Sequence, residues 1–294
     1  AATFDFSQAK PDGADLRFTK ADGTLLPFAV ERYEAANRLA EVWVKVDTVL
    51  GNNSTQFITM LWGNPQAPAY SNPIGVFDTA EGYKAVWHMG DTADATIHGN
   101  TLQRSGAGNP CAVPGLIGKC MYFDSSHYFN AGLGPTLKGK TDFTISVWVK
   151  STMSYKGYLI SNKDSSNTGQ FGIEVFETAV CNFWTWNPDS GKYQFDTYSK
   201  ATVTDGQWHL LTGVRKDSLS SIYIDGVLDT TQSGPVVSLN SSLPTFIGFD
   251  NSLSDKYFKG NMDEAMILAT ARSADWIKLC FMNQKEGDAL VSFK

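Results

Sequence analysis

Hydrolysis of a glycosidic bond requires two carboxylates presented to one cleft, roughly 5–10 Å apart. The nearest approach in this chain is Glu174-Val-Phe-Glu177. An offset of three sends the two side chains to opposite faces of a strand, and Asp263-Glu264, adjacent in sequence, fails for the same reason. The histidines His88, His98, His127 and His209 stand in separate segments, and His88 and His209 lie inside apolar strand patterns, where a hydrogen-bonded structural role is expected. No serine sits in a Gly-x-Ser-x-Gly elbow, and no phosphate-cradling glycine loop follows a strand. The residues therefore predict a protein without catalytic activity.

Aromatic side chains offer a different chemistry. The segment 181–198 reads CNFWTWNPDSGKYQFDTY. Strand parity places Trp184 and Trp186 on one face, the turn at 187–191 returns Tyr193 beside them, and Tyr198 follows, out of parity with Tyr193. Exposed Trp and Tyr rings stack on the C–H faces of sugars, and the polar neighbours Asn182, Gln194 and Asp196 can orient hydroxyls. Trp184, Trp186, Tyr193 and Tyr198 are thus the candidate ligand-binding residues, against the alternative that these rings fill a core. Four cysteines, at 111, 120, 181 and 280, allow three pairings. Cys111 and Cys120 bracket AVPGLIGK, whose Pro and Gly turn the chain, so a disulfide between them is the favoured pairing, with Cys181 and Cys280 read as buried thiols.

These groups need strands to hold them. TDFTISVWVK at 141–150 alternates almost perfectly, with Phe143, Ile145, Val147 and Val149 on one face and Thr144, Ser146, Trp148 and Lys150 on the other. QWHLLTGVR at 207–215 and a run at 221–224 follow, closed by Asp225-Gly226, a tight hairpin signal. Further short strands are predicted at 121–123, 158–161, 171–176, 181–186 and 193–198, and before residue 80 at 15–19, 25–33, 39–46 and 56–62. The stretch 64–73, with three prolines, reads as a linker. One helix is predicted over 273–284, with a Ser273 cap and Trp276, Leu279 and Cys280 on its buried side. The apolar strip 289–293 is expected to pair back onto the N-terminal part.

Composition excludes several partners. With 24 Lys and Arg against 30 Asp and Glu, a net charge of −6 and no basic cluster, neither nucleic acid nor an anionic membrane surface is expected as a partner. No apolar run is long enough to span a bilayer, so no membrane insertion is expected. The first residues, AATFDF, lack the features of a signal peptide and suggest a mature or trimmed form.

The ordered pieces AVWHMGD, FTISVWVK, DGQWHLLTGVR, IYIDGVL, FIGFDN and GNMDEAMILATARSADWIK resemble the bacterial laminin-G-like jelly roll, a concanavalin-A-like sandwich of secreted proteins. DGADLRFTKADGTLLPFAVERY and EVWVKV…ITMLWGNPQA resemble a bacterial extracellular domain of unknown function that precedes such jelly rolls. The expectation is an all-β chain: a small antiparallel β domain over 1–80, then a laminin-G-like β-sandwich over 81–294 with one short C-terminal helix. The resemblance also implies calcium, with Asp263 in GNMDEAMI and Asp94 in the opening loop as ligands; the competing reading gives Asp263 a turn to cap. It implies an extracellular or cell-surface module, non-catalytic, that binds a polysaccharide or other glycan or serves adhesion. The alternative is a structural or protein-binding spacer among the domains of a larger surface protein, and a concanavalin-fold glycanase stands third.

Overall fold

The computed structural model describes residues 4–107, 111–163, 171–187, 190–250 and 256–287. The strip 289–293 lies outside them. Two compact units divide between Asp78 and Thr79.

The first unit holds β1 (Arg17–Thr19), β2 (Phe28–Glu34), β3 (Leu39–Val44) and β4 (Thr59–Leu61), paired antiparallel as β1 with β4 and β2 with β3. Its buried core is small: Leu16, Phe18, Leu26 and Phe28, with Val30, Val42, Val44 and Met60 packed against them. Asp15 stands in for missing apolar mass by accepting from Lys10 N at 2.8 Å and Gly63 N at 2.7 Å, which ties two distant loops together. The expected linker is not wholly irregular. Asn72 accepts from Gly75 N at 3.1 Å, and Pro73, its φ already suited to a first turn, opens a one-turn helix, α1 (Pro73–Val76).

The second unit opens with β5 (Tyr83–Trp87), β6 (Gln103–Gly106), β7 (Cys111–Pro114), β8 (Lys119–Asp124) and β9 (His127–Asn130). Its middle strands are β10 (Phe143–Lys150), β11 (Gly157–Asn162), β12 (Phe171–Val175), β13 (Val180–Asn187) and β14 (Lys192–Thr202). It closes with β15 (Trp208–Lys216), β16 (Leu219–Ile224), β17 (Val227–Ser233), β18 (Phe246–Ile247), β19 (Lys259–Leu268) and α2 (Ala274–Gln284). Among the described residues these strands form two antiparallel sheets. An eight-stranded sheet runs β17-β16-β15-β10-β19-β8-β7, with β5 also on β19, and a seven-stranded sheet runs β14-β13-β12-β11-β18-β9-β6. The architecture is the all-β sandwich that the alternation predicts.

One continuous apolar core fills the space between the sheets. Phe143, Ile145, Val147 and Val149 of β10 point into it, meeting Leu159, Phe171, Ile173, Val175 and Phe183 of the facing sheet. The Asp225-Gly226 hairpin forms as expected, with both residues at positive φ. The other side of β10 is covered by α2, capped by Ser273, whose Oγ accepts from Trp276 N at 3.2 Å. Trp276, Ile277, Cys280 and Gln284, at helical spacing, lie on Ser146, Leu210, Thr212 and Met266. Ile277 and Gln284 are the fully buried residues of α2, and Gln284 Oε1 accepts from Trp148 Nε1 at 2.6 Å.

Candidate functional site

The outer face of the seven-stranded sheet collects the aromatic and charged residues. On β12 and β13, Ile173 and Phe183 turn into the core, so Glu174, Asn182, Trp184 and Trp186 turn outward. Register puts Tyr158, Glu174, Asn182 and Tyr198 in one row across β11 to β14, and Gly172, Trp184 and Asp196 in the next. Tyr193 reaches this face through a bulge. The pairing slips between Thr185 and Trp186, so that Trp186 faces Tyr193 and Gln194 is passed over, which turns Tyr193 to the side that strict alternation denies it. Its ring then lies edge-on to Trp186 at 4.9 Å and to Trp184 at 6.1 Å. Tyr193 is 45% exposed and Tyr198 38%, and Trp186, beside Tyr193, is half-buried.

Trp184 departs from the expectation of an exposed ring. It is 2% exposed, because β12 has Gly172 beneath it: a Cβ there would meet the indole at 2.4 Å. The ring sinks onto the bare backbone and forms the floor under Tyr193. Asn182 Nδ2 donates to Asp196 Oδ1 at 3.0 Å, and Tyr198 Oη donates to Asp196 Oδ2 at 3.4 Å, so a carboxylate, an amide and a phenol are linked at the open end of the row.

Glu174 is sealed beneath this layer, paired with Lys156 Nζ at 2.8 Å. Burial pushes its carboxyl up to about 7, against the opposing pull of Lys156 and of the Trp184 indole N–H. Neither that N–H nor the carboxylate completes a well-directed hydrogen bond. Lys156 also lies over the rings of Tyr158 at 4.9 Å and Phe176 at 5.2 Å. Glu177 is exposed in the turn past the end of β12, so the two glutamates do not converge. Three histidines are held by carboxylates: His88 by Glu264 at 2.9 Å, His127 by Asp124 at 2.8 Å, and His209 by Asp225 at 2.8 Å and Asp205 at 3.1 Å. His98 is exposed.

Residues 123–278, just over half of the chain, match the family described as the concanavalin A-like lectin/glucanases superfamily. The chain belongs to that superfamily. Residues 12–89 match a domain family of unknown function, DUF2341. Among solved structures, this concanavalin A-like chain is similar to domain 4 of an extracellular GH43 arabinanase from Geobacillus stearothermophilus, solved with arabinotriose. There the TM-score is 0.56 at 18% identity, over 67% of this chain and 97% of that one. It is also similar to the binding domain of Paraclostridial Mosquitocidal Protein 1, with TM-score 0.56 and 14% identity over 70% of this chain and 53% of that one. The botulinum neurotoxin serotype D binding domain gives TM-score 0.53 and 12% identity over 69% of this chain and 52% of that one. At such identities the likeness is one of fold, and this chain spans about half of the two toxin chains. No curated protein matches the sequence.

In this superfamily member the two aspartates expected to hold calcium are engaged as hydrogen-bond acceptors. Asp263 Oδ2 accepts from Leu116 N at 2.8 Å and Ile117 N at 3.1 Å, capping the turn between β7 and β8. Asp94 accepts from Val86 N, Thr96 N, Thr96 Oγ1, Asn100 N and Asn100 Nδ2 at 2.8–3.1 Å. Both Asp94 oxygens are filled by N–H and O–H donors and Asp263 Oδ2 by two backbone N–H groups, and the two carboxylates serve separate loops. The expected Cys111–Cys120 bridge is absent, and all four cysteines are free. Cys111 stands across from Tyr122 and Cys120 across from Val113, which makes the two diagonal neighbours. Diagonal Cα atoms lie about 7–8 Å apart, beyond the roughly 4.4–6.8 Å that a disulfide spans. Cys120 is buried instead, its Sγ accepting from Asn261 Nδ2 at 3.4 Å, and burial pushes the thiol up to about 12.

Proposed function

We propose that this chain is a non-catalytic extracellular module that binds a glycan along the outer face of the seven-stranded sheet, over Trp186, Tyr193 and Tyr198, with Trp184 as the floor. The bulge at Gln194 carries the reading, since it spends a regular strand register to bring a half-exposed phenol beside two indoles. Asp196, held in place by Asn182 Nδ2, supplies an acceptor for sugar hydroxyls. Stacking on the order of 1 kcal/mol per ring gives weak binding, millimolar to micromolar. The similar fold solved with arabinotriose supports a sugar as the ligand class. The absence of catalysis is supported by Glu174, which is fully buried and paired with Lys156, out of reach of any glycosidic bond.

Glycan-array screening followed by calorimetric titration of the best ligand tests the proposal. Trp186→Ala combined with Tyr193→Ala should weaken binding at least about tenfold while the melting curve stays close to the parent's. Undiminished binding by that variant would place the ligand elsewhere, and release of reducing ends from β-glucan, xylan or arabinan would overturn the non-catalytic reading. Burial of Trp184 is the observation that favours the second reading, a spacer within a larger surface protein, and an array with no bound glycan would decide for it.

A further inference from the structure

The eight-stranded sheet carries a separate groove. Lys150, Asn261 and Tyr122 stand directly across from one another on β10, β19 and β8, and Lys259 lies two residues before Asn261 on the same face. Together with residues 151–155 they border an open groove of about 370 Å³, to which Tyr155 and Ser154 also contribute. Its wall is preformed. Ser151 Oγ donates to Lys259 O at 2.6 Å and accepts from Met153 N at 3.0 Å, while Ser151 O accepts from Gly206 N at 3.0 Å.

The side chains in this groove are uncommitted. Tyr122 and Tyr155 are 37% and 38% exposed, and among the described residues neither ring has an aromatic partner and neither hydroxyl has a hydrogen bond. Lys150 and Lys259 make no ion pair among the described residues. Lys259 faces Asp124 across the β8–β19 pair, where Asp124 Oδ1 accepts from Ser126 N, Ser126 Oγ and His127 Nδ1. Two exposed ammonium groups therefore border one groove. Asn261 spends its N–H on Cys120 Sγ, which leaves the amide oxygen for a ligand hydroxyl.

We propose that this groove binds an acidic saccharide, with Lys150 and Lys259 taking its carboxylate or sulfate and the faces of Tyr122 and Tyr155 taking the sugar ring. Cations alone would suit any small anion. The tyrosine faces and the groove's volume ask for a ring that carries the charge. The site is distinct from the aromatic face of the other sheet and does not depend on that face binding a glycan.

The test is calorimetric titration at low salt with trigalacturonate, a sulfated galactose trisaccharide, neutral galactotriose and inorganic sulfate. At least one acidic trisaccharide should bind about tenfold or more tightly than galactotriose, and added sodium chloride should weaken it. Whichever acidic probe binds more tightly identifies the anion. Lys150→Gln with Lys259→Gln should lower that affinity about tenfold or more, with a melting curve that overlays the parent's, and Tyr155→Ala should lower it without altering the response to inorganic sulfate. Trp186→Ala with Tyr193→Ala should leave it unchanged, which separates failure here from failure of the glycan face. No binding of either acidic trisaccharide, or equal binding by the double lysine variant, overturns the proposal. So does inorganic sulfate binding as tightly as the trisaccharides with no effect of Tyr155→Ala, because the site would then hold a bare anion.

Discussion

Trp148 and Trp184 lie on the outer faces of the two sheets and are equally buried, at 1% and 2% exposure. Their surroundings differ in kind. Trp148 is roofed by a helix: Phe281 stacks on it at 5.6 Å, and Gln284 accepts its indole N–H. Among the described residues no helix covers Trp184; Lys163 lies over its ring at 5.6 Å, Tyr193 stands at its edge, and its N–H lacks a well-directed acceptor. Under α2 the polar groups beside Trp148 are neutral, such as Ser146 with Thr212 at 2.8 Å, although Asp263 stands across from it in register. Around Trp184 they are ionisable: Glu174 with Lys156, and Lys163 with Asp250 at 3.5 Å. A tryptophan with every atom satisfied belongs to the architecture, whereas one set among charges and open rings belongs to a surface that can still take a partner.

The strongest way to break this comparison is deletion of each ring. Trp148→Ala and Trp184→Ala should each cost about 3–5 kcal/mol in chemical denaturation, because both are enclosed. A loss below about 1 kcal/mol for Trp184→Ala would show that the second ring is not a floor at all. Acidity separates the faces next. Burial raises Glu174 from 4.5 to about 7 in the folded state, so folding retains a proton that the unfolded chain releases. Its contribution is present below pH about 4.5 and is lost as pH rises to about 7, by up to about 3 kcal/mol. Glu174→Gln should flatten that decline, and denaturation midpoints across pH 4 to 8 would show it; an unchanged slope would place the proton elsewhere.

Finer substitutions sharpen the contrast. Trp148→Phe keeps a ring but leaves Gln284 buried without its donor, a loss of about 1–3 kcal/mol. Trp184→Phe removes an N–H that completes no good bond, so it should cost less than about 1 kcal/mol. Similar losses in the two phenylalanine variants, read from the same denaturation curves, would refute the claimed difference in hydrogen bonding. The smallest expected effect is at His209, whose ring Asp225 and Asp205 hold in the charged form and so raise its pKa. That stabilisation is full below about pH 6.5 and is lost as pH rises through the higher folded value. His209→Gln should remove a decline above pH 6.5 and leave the one set by Glu174.

The strands were legible because period-two alternation is written residue by residue, as in 143–150, and because Asp225-Gly226 and the Ser273 cap announce their turns locally. What covers each face was not. The same alternation that sends Trp148 and Trp184 outward is silent about a roof, and Gly172, the residue that lets Trp184 sink, sits on another strand. Parity set Tyr193 apart from Tyr198, and only the bulge at Gln194 reunites them. The Pro-Gly turn between Cys111 and Cys120 was read correctly as a turn, yet the pairing failed on a register offset of two residues that spacing does not reveal. The reading of Asp263 as a turn acceptor was available from its neighbours, while the lysine groove draws on segments near 122, 150–155, 206 and 259–261 that only folding brings together.

The place of β19 has a consequence for biosynthesis. Among the described residues it is the last strand of its sheet in sequence, and it lies between β10 on one side and β5 and β8 on the other. While residues 259–268 are still within the ribosome, β10, apolar and buried along nearly its whole length in the finished protein, presents an unpaired edge. The sandwich therefore closes only after most of its unit has been translated, and the nascent chain must be kept from pairing with its neighbours until then.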